Sequence, residues 1–149
     1  MPHEAISIVL VEDSAFDREL TLRALRQRKL ANPVTVLKDG AEAIEYFFGP
    51  DADPEAIRRD VCAVLLDLKL PKVDGLEVLR RLKLDPITRA VPVVVLTSSA
   101  EESDRLASYG IGANSYVVKP IDFEHFSAAI SELGFYWCAV NTPPEGAPR

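Results

Sequence analysis

The segment Val61-Cys62-Ala63-Val64-Leu65-Leu66-Asp67-Leu68-Lys69-Leu70-Pro71 decides the fold. Its first six residues are apolar without a break, the mark of a strand buried on both faces. Such strands belong to parallel sheets covered by helices. Asp67 then stands at the carboxyl end of the strand, where open parallel sheets bind their ligands. The runs Ile6 to Val11 and Val91 to Leu96 read in the same way, and Val34 to Leu37 and Tyr116 to Lys119 read as shorter strands.

Helical patterns fill the gaps. One runs from about Ser14 to Lys29. The next opens at Asp39, has Glu42 at capping-box spacing, and carries Ile44, Phe47 and Phe48 on one face. A third, over Gly75 to Leu84, repeats Leu76, Leu79 and Leu82 and stops ahead of Pro86. A fourth follows Ser99, which reads as its cap, with Glu102 three residues on. A fifth extends from about Asp122 toward Val140. Strands alternating with helices in this way predict an α/β fold: a three-layer, doubly wound (βα)5 flavodoxin-like domain of sheet order 2-1-3-4-5. Residues 1–140 form that domain. Residues 141–149 contain three prolines and read as a flexible tail, and Gly49 to Asp60 as an exposed acidic loop.

Bulk properties exclude several classes. The 149 residues carry 23 acidic and 17 basic groups, for a net charge of -6. That balance repels nucleic acid and anionic membranes, and no helix-turn-helix remains once the sheet is assigned. No apolar run approaches the roughly 20 residues that span a bilayer. No signal peptide is visible, so the expectation is a soluble, cytoplasmic chain. The two cysteines, Cys62 and Cys138, show no pairing framework, and Cys62 reads as a reduced thiol inside its strand.

The expected sheet order has its switch point between the first and third strands, which brings Glu12-Asp13 beside Asp67. Thr97 and Lys119 end the fourth and fifth strands on the same rim. Two carboxylates about 4 Å apart repel by roughly 4 kcal/mol at an effective dielectric near 20. A cluster of three therefore calls for a cation, and Mg2+ suits carboxylates, waters and phosphate oxygens. With Lys119 and the Thr97 hydroxyl available to a phosphoryl group, Asp67 becomes the candidate nucleophile. A phosphatase-like enzyme with an Asp nucleophile would keep a second Asp two residues on, where this chain has Lys69. A flavin carrier would not place Glu12-Asp13 against a phosphate. An adaptor working without phosphorylation would lack one of the acids or the lysine.

These residues carry a resemblance. Val9-Leu10-Val11-Glu12-Asp13, Leu65 to Pro71 with Asp74-Gly75, Val94 to Ser99 and Tyr116 to Pro120 resemble the receiver domains of two-component response regulators over nearly the whole chain. The resemblance implies that Asp67 accepts phosphate from a sensor histidine kinase. It implies Mg2+ held by Asp13, Asp67 and the Lys69 carbonyl, with Glu12 acting through water. It further implies that Lys119 and Thr97 contact the phosphoryl group, that Tyr116 is a switch aromatic, that Lys69 and Ser99 tune dephosphorylation, and that the only catalysis is weak self-phosphorylation and self-dephosphorylation. The Lys119-Pro120 bond is often cis in such domains. Leu70 to Gly75, Asn114-Ser115-Tyr116 and Phe135-Tyr136-Trp137 are similar to single-domain regulators of phytochrome-type kinases. The stripe Phe126, Ile130, Leu133, Trp137 and Val140 runs past the length needed to cover the sheet. It suggests a homodimer through the helix after Ser99, the Tyr116 strand and the final helix.

Overall fold

The structure, a computed structural model, describes residues 7–27, 33–119 and 124. The element order is β1 (Ser7–Val11), α1 (Ala15–Gln27), β2 (Val34–Leu37), α2 (Gly40–Phe48), α3 (Pro54–Asp60), β3 (Val61–Leu66), α4 (Gly75–Leu84), a 3-10 turn (Thr88–Ala90), β4 (Val93–Thr97), α5 (Glu102–Ile111) and β5 (Ser115–Val118). The strands pair in parallel in the order 2-1-3-4-5, as the apolar blocks predict.

Alternation along the strands feeds two cores. Val9, Val11, Val64, Leu66, Val93 and Val95 face one side, packed under Ala43 and Phe47 of α2 and Val78, Leu79 and Leu82 of α4. Ile8, Leu10, Leu65, Val94 and Leu96 face the other side, beneath Ala24 and Leu25 of α1. Each of the Val, Leu, Ile and Phe side chains, buried in full, is worth about 1.5–3 kcal/mol relative to exposure. Helix starts follow their caps: Asp39 accepts from the Glu42 amide at 2.8 Å, and Asp74 from the Leu76 amide at 3.3 Å. The α2 box is displaced by one residue, because Glu42 accepts from the Lys38 amide rather than from that of Asp39.

Three expectations change. The acidic loop over Gly49 to Asp60 contains α3: Asp53 caps it by accepting from the Ala56 amide at 3.2 Å, Pro54 opens it, and Ile57 plugs into the core. Proline at a first helical position costs no hydrogen bond, and seven residues are too few to display a helical period. Ser99 does not cap the next helix, which begins at Glu102 after an extended Glu101 with no side-chain cap; the Ser99 hydroxyl donates to Asp104 instead. Cys62 is disulfide-bonded, not reduced. A disulfide depends on neighbours in space, which a linear reading does not show. The final helix, with Phe126, Ile130, Leu133, Trp137 and Val140, together with Pro120 and residues 141–149, lies outside the described residues.

Lys83 ties α4 to the entry of β4. Its ammonium donates to the carbonyls of Val91 at 2.7 Å and Arg89 at 3.1 Å, and burial lowers its pKa to about 8. The unfolded chain holds that proton up to the ordinary value of 10.5. Folding therefore carries the full penalty below pH 8 and loses it as pH rises toward 10.5. In urea unfolding, wild type should gain about 1–2 kcal/mol on Lys83→Met between pH 8 and pH 10. A constant difference between the two proteins would contradict this.

Candidate functional site

Register sets the rim. Val11 pairs with Leu37 and with Leu66, Leu66 with Val95, and Thr97 with Val118, so Thr97 itself and Glu12, Asp67 and Lys119, each one residue past a paired position, lie at one rim. Backbone bonds continue past the strands: the Asp67 amide donates to the Val11 carbonyl at 3.1 Å, and the Lys119 amide to the Thr97 carbonyl at 2.7 Å. The carboxylates of Glu12, Asp13 and Asp67 offer oxygens within 4.8 Å of one another. Glu12 and Asp67 are buried, and Asp13 is exposed.

Lys119 closes the cluster. Its side chain is 2% exposed, and its ammonium meets Glu12 Oε1, Asp67 Oδ2 at 3.1 Å and Asp17 Oδ2 at 3.1 Å. Burial works against that ammonium, but Glu12, Asp67 and Asp17 outweigh it and raise its pKa. Burial pushes Glu12 up to about 7, and Lys119 pulls the other way without cancelling it. Three carboxylates thus face one ammonium, and Asp13 adds a fourth to the cluster. The mixed donor set, two buried oxygens and one open to water, fits a hard divalent cation that keeps several waters.

Glycine lets the loops approach. A Cβ on Gly75 would overlap the Asp67 carbonyl oxygen, so only glycine allows α4 to start against the end of β3. Gly40 packs equally tightly on the Val73 carbonyl, and Lys72, at φ 69°, pairs with Asp39 at 3.3 Å. The β3–α4 loop is thereby docked on the start of α2.

The remaining expected residues converge on Ser99. The Ser99 amide donates to Thr97 Oγ1 at 3.2 Å, its hydroxyl to Asp104 Oδ2 at 2.6 Å, and its carbonyl accepts from the Tyr116 hydroxyl at 2.9 Å. Burial raises the Tyr116 pKa. Asp104 is held below the usual carboxylate range, chiefly by the Ser99 hydroxyl and then by Lys69. Lys69 donates its amide to Asp67 Oδ1 at 3.2 Å. Asp17 and Asp104 were absent from the sequence expectations. Each sits in the first turn of a helix, where an acid is ordinarily explained by the helix dipole. A cavity of about 640 Å3 lined by Glu55, Arg58, Pro86, Ile87, Arg89 and Ala90 lies toward the amino ends of β3 and β4, away from this chemistry.

The family model of the response regulator receiver domain matches residues 8–131. The chain belongs to the response regulator receiver family. Among curated relatives, the receiver is 38% identical to the probable methanogenesis regulatory protein FilR2 of Methanothrix harundinacea, over 92% of this chain and 86% of that one. It is 34% identical to the response regulator Rcp1 of Synechocystis, over 92% of each chain. Among solved structures, the phosphorylated cyanobacterial phytochrome response regulator RcpA superposes with TM-score 0.82 at 33% identity, covering 95% of this chain and all of that one. The bacteriophytochrome response regulator AtBRR is 48% identical, with TM-score 0.68, over 94% of this chain and 100% of that one. Rcp1 has also been solved with Mn2+ bound. Receiver domains are phosphorylated by histidine kinases on an aspartate, with a divalent metal, and the acidic cluster of this receiver suits such an ion. No helix among the described residues is long and apolar enough to cross a membrane.

Added Mg2+ or Mn2+ should raise the melting temperature of the receiver, since ion at a hundred times its Kd stabilises by about 2.7 kcal/mol. Asp13→Asn should weaken that response about tenfold or more in apparent affinity, because it removes one of few charged donors. An unchanged ion titration in Asp13→Asn would remove Asp13 from the ligand set.

Proposed function

We propose that Asp67 is the phosphoryl acceptor of this receiver, with Mg2+ as its ion and a cytoplasmic, phytochrome-type histidine kinase as donor. The observation that carries the reading is the meeting of Glu12, Asp13 and Asp67 beneath one buried ammonium, that of Lys119. Asp67 is the acid at the strand tip that touches both Lys119 and the Lys69 amide. An Asp67 oxygen attacks the phosphorus of a phosphohistidine as the P–N bond breaks, and the imidazole leaves with the bonding pair. Lys119 balances charge on the transferred oxygens, and the Thr97 hydroxyl donates to one of them. Asp13, Asp67 and the Lys69 carbonyl would hold the ion, with Glu12 acting through water, and it would supply further neutralising charge there.

The phosphoryl group adds about -1.5 to -2 charge and three acceptors. A turn of the Thr97 side chain toward it takes the hydroxyl oxygen off the Ser99 amide. That frees the loop whose carbonyl holds Tyr116, so Tyr116 acts as the switch aromatic. Lys69 and Ser99 set the lifetime of the phosphoryl group. The output is a partner-binding face that includes a homodimer contact through α5, β5 and the segment carrying Phe126, Ile130, Leu133 and Trp137. Its described part exposes Leu106, Tyr109 and Val118. The phytochrome pairing is supported by the likeness to RcpA and AtBRR. Self-phosphorylation from small donors and self-dephosphorylation are the only catalysis proposed.

Incubation with phosphoramidate and Mg2+, followed by intact mass, should add one phosphate to wild type, none to Asp67→Asn, and none after chelation. Labelling of Asp67→Asn would overturn the assignment. Light scattering should give a dimer mass with a phosphoryl analogue present; a monomer with and without it would remove the dimer face.

A further inference from the structure

Two side chains flank the mouth of the site from different strands. Lys69 follows β3, with its amide on Asp67 Oδ1 at 3.2 Å. Ser99 follows β4, with its amide on Thr97 Oγ1 at 3.2 Å. One carboxylate reaches both: Asp104 Oδ2 accepts from Ser99 Oγ at 2.6 Å and lies 3.4 Å from Lys69 Nζ. The Asp104 side chain is 15% exposed against 60% for Lys69, so the carboxylate is the more enclosed end of this tether. A hydroxyl-to-carboxylate bond of that length is at the strong end of its class. A first-turn acid suits the helix dipole, but Glu102 already serves α5 in that way. The dipole requires no bond to Ser99 or Lys69.

We propose that Asp104 is a positioning residue that ties Lys69 to Ser99 across the mouth of the acceptor site and so lengthens the life of a phosphoryl group on Asp67. The inference rests on Asp67 as acceptor. In hydrolysis a water oxygen bonds to phosphorus as the Oδ–P bond breaks. The bonding pair returns to the Asp67 carboxylate, inorganic phosphate leaves, and the proton of water passes to phosphate or solvent. In-line attack comes from the side opposite the carboxylate, and the tether acts by holding the side chains of Lys69 and Ser99, whose amides bond Asp67 and Thr97, close to that path. Tethered, these side chains narrow the approach. Released, Lys69 regains the rotamer freedom of a long side chain, and the loop at Ser99 loses its anchor on α5.

The test labels wild type, Asp104→Asn, Asp104→Ala, Lys69→Ala and the Lys69→Ala/Asp104→Ala double variant with phosphoramidate and Mg2+. Donor is then removed, and loss of the added phosphate is followed by intact mass. Asp104→Ala should lose its phosphate about three- to tenfold faster than wild type, a modest barrier change. Asp104→Asn keeps the shape without the charge, so it should fall between them and guards against misfolding of the alanine variant. The double variant should decay no faster than the faster single, because both remove one tether. A loose fold would lower the melting temperature without producing that non-additivity. Wild-type lifetimes in both Asp104 variants, or rates that multiply in the double variant, would overturn the tether. If wild type itself takes no phosphate, the acceptor reading fails first and the tether with it.

Discussion

One buried ammonium holds the working end of this receiver together. Lys119 comes from the end of β5, Glu12 from the end of β1, Asp17 from α1 and Asp67 from the end of β3, and all four meet at a single nitrogen. Burying carboxylates without a counter-charge is costly, and the cost shows in Glu12, which burial raises to about 7 even with Lys119 beside it. The lysine stabilises the cluster only in part. The remaining negative charge makes the crevice a place where a divalent ion is welcome, and an ion there leaves the proposed acceptor free to react.

The same charge balance offers a route outward. Thr97, Tyr116 and Asp104 each bond a different atom of Ser99, through its amide, carbonyl and hydroxyl respectively. Ser99 thus links Thr97 to β5 and to α5. Packed elements respond to a change at such a link by moving between discrete arrangements, because a dense core does not deform smoothly. The loop around Ser99 is suited to be such an element: it starts at a buried strand end and finishes at a helix that lacks a side-chain cap.

Legibility in the sequence tracked the strength of the local signal. β3 and α4 have the bounds read from the chain because six unbroken apolar residues mark the one, and an Asp-Gly start with a stop before Pro86 marks the other. β4 begins later than its apolar run, since Pro92 has no amide to give the ladder. α3 was hidden by its brevity. Ser99 misled because its spacing to Glu102 imitates a capping box, while its hydroxyl had a carboxylate to bond instead. Cys62 misled because a disulfide depends on neighbours in space.

By itself the sequence determined the doubly wound sheet, its strand order and the rim residues Glu12, Asp13, Asp67, Thr97 and Lys119. Those follow from apolar runs and from the polar residues that end them, and both are local patterns. Tertiary structure alone decided that Asp17 shares the Lys119 ammonium and that Asp104 bridges Lys69 to Ser99. A first-turn acid looks the same in sequence whether it faces solvent or a buried cation, and only the packing of α1 and α5 against the strand ends makes the choice.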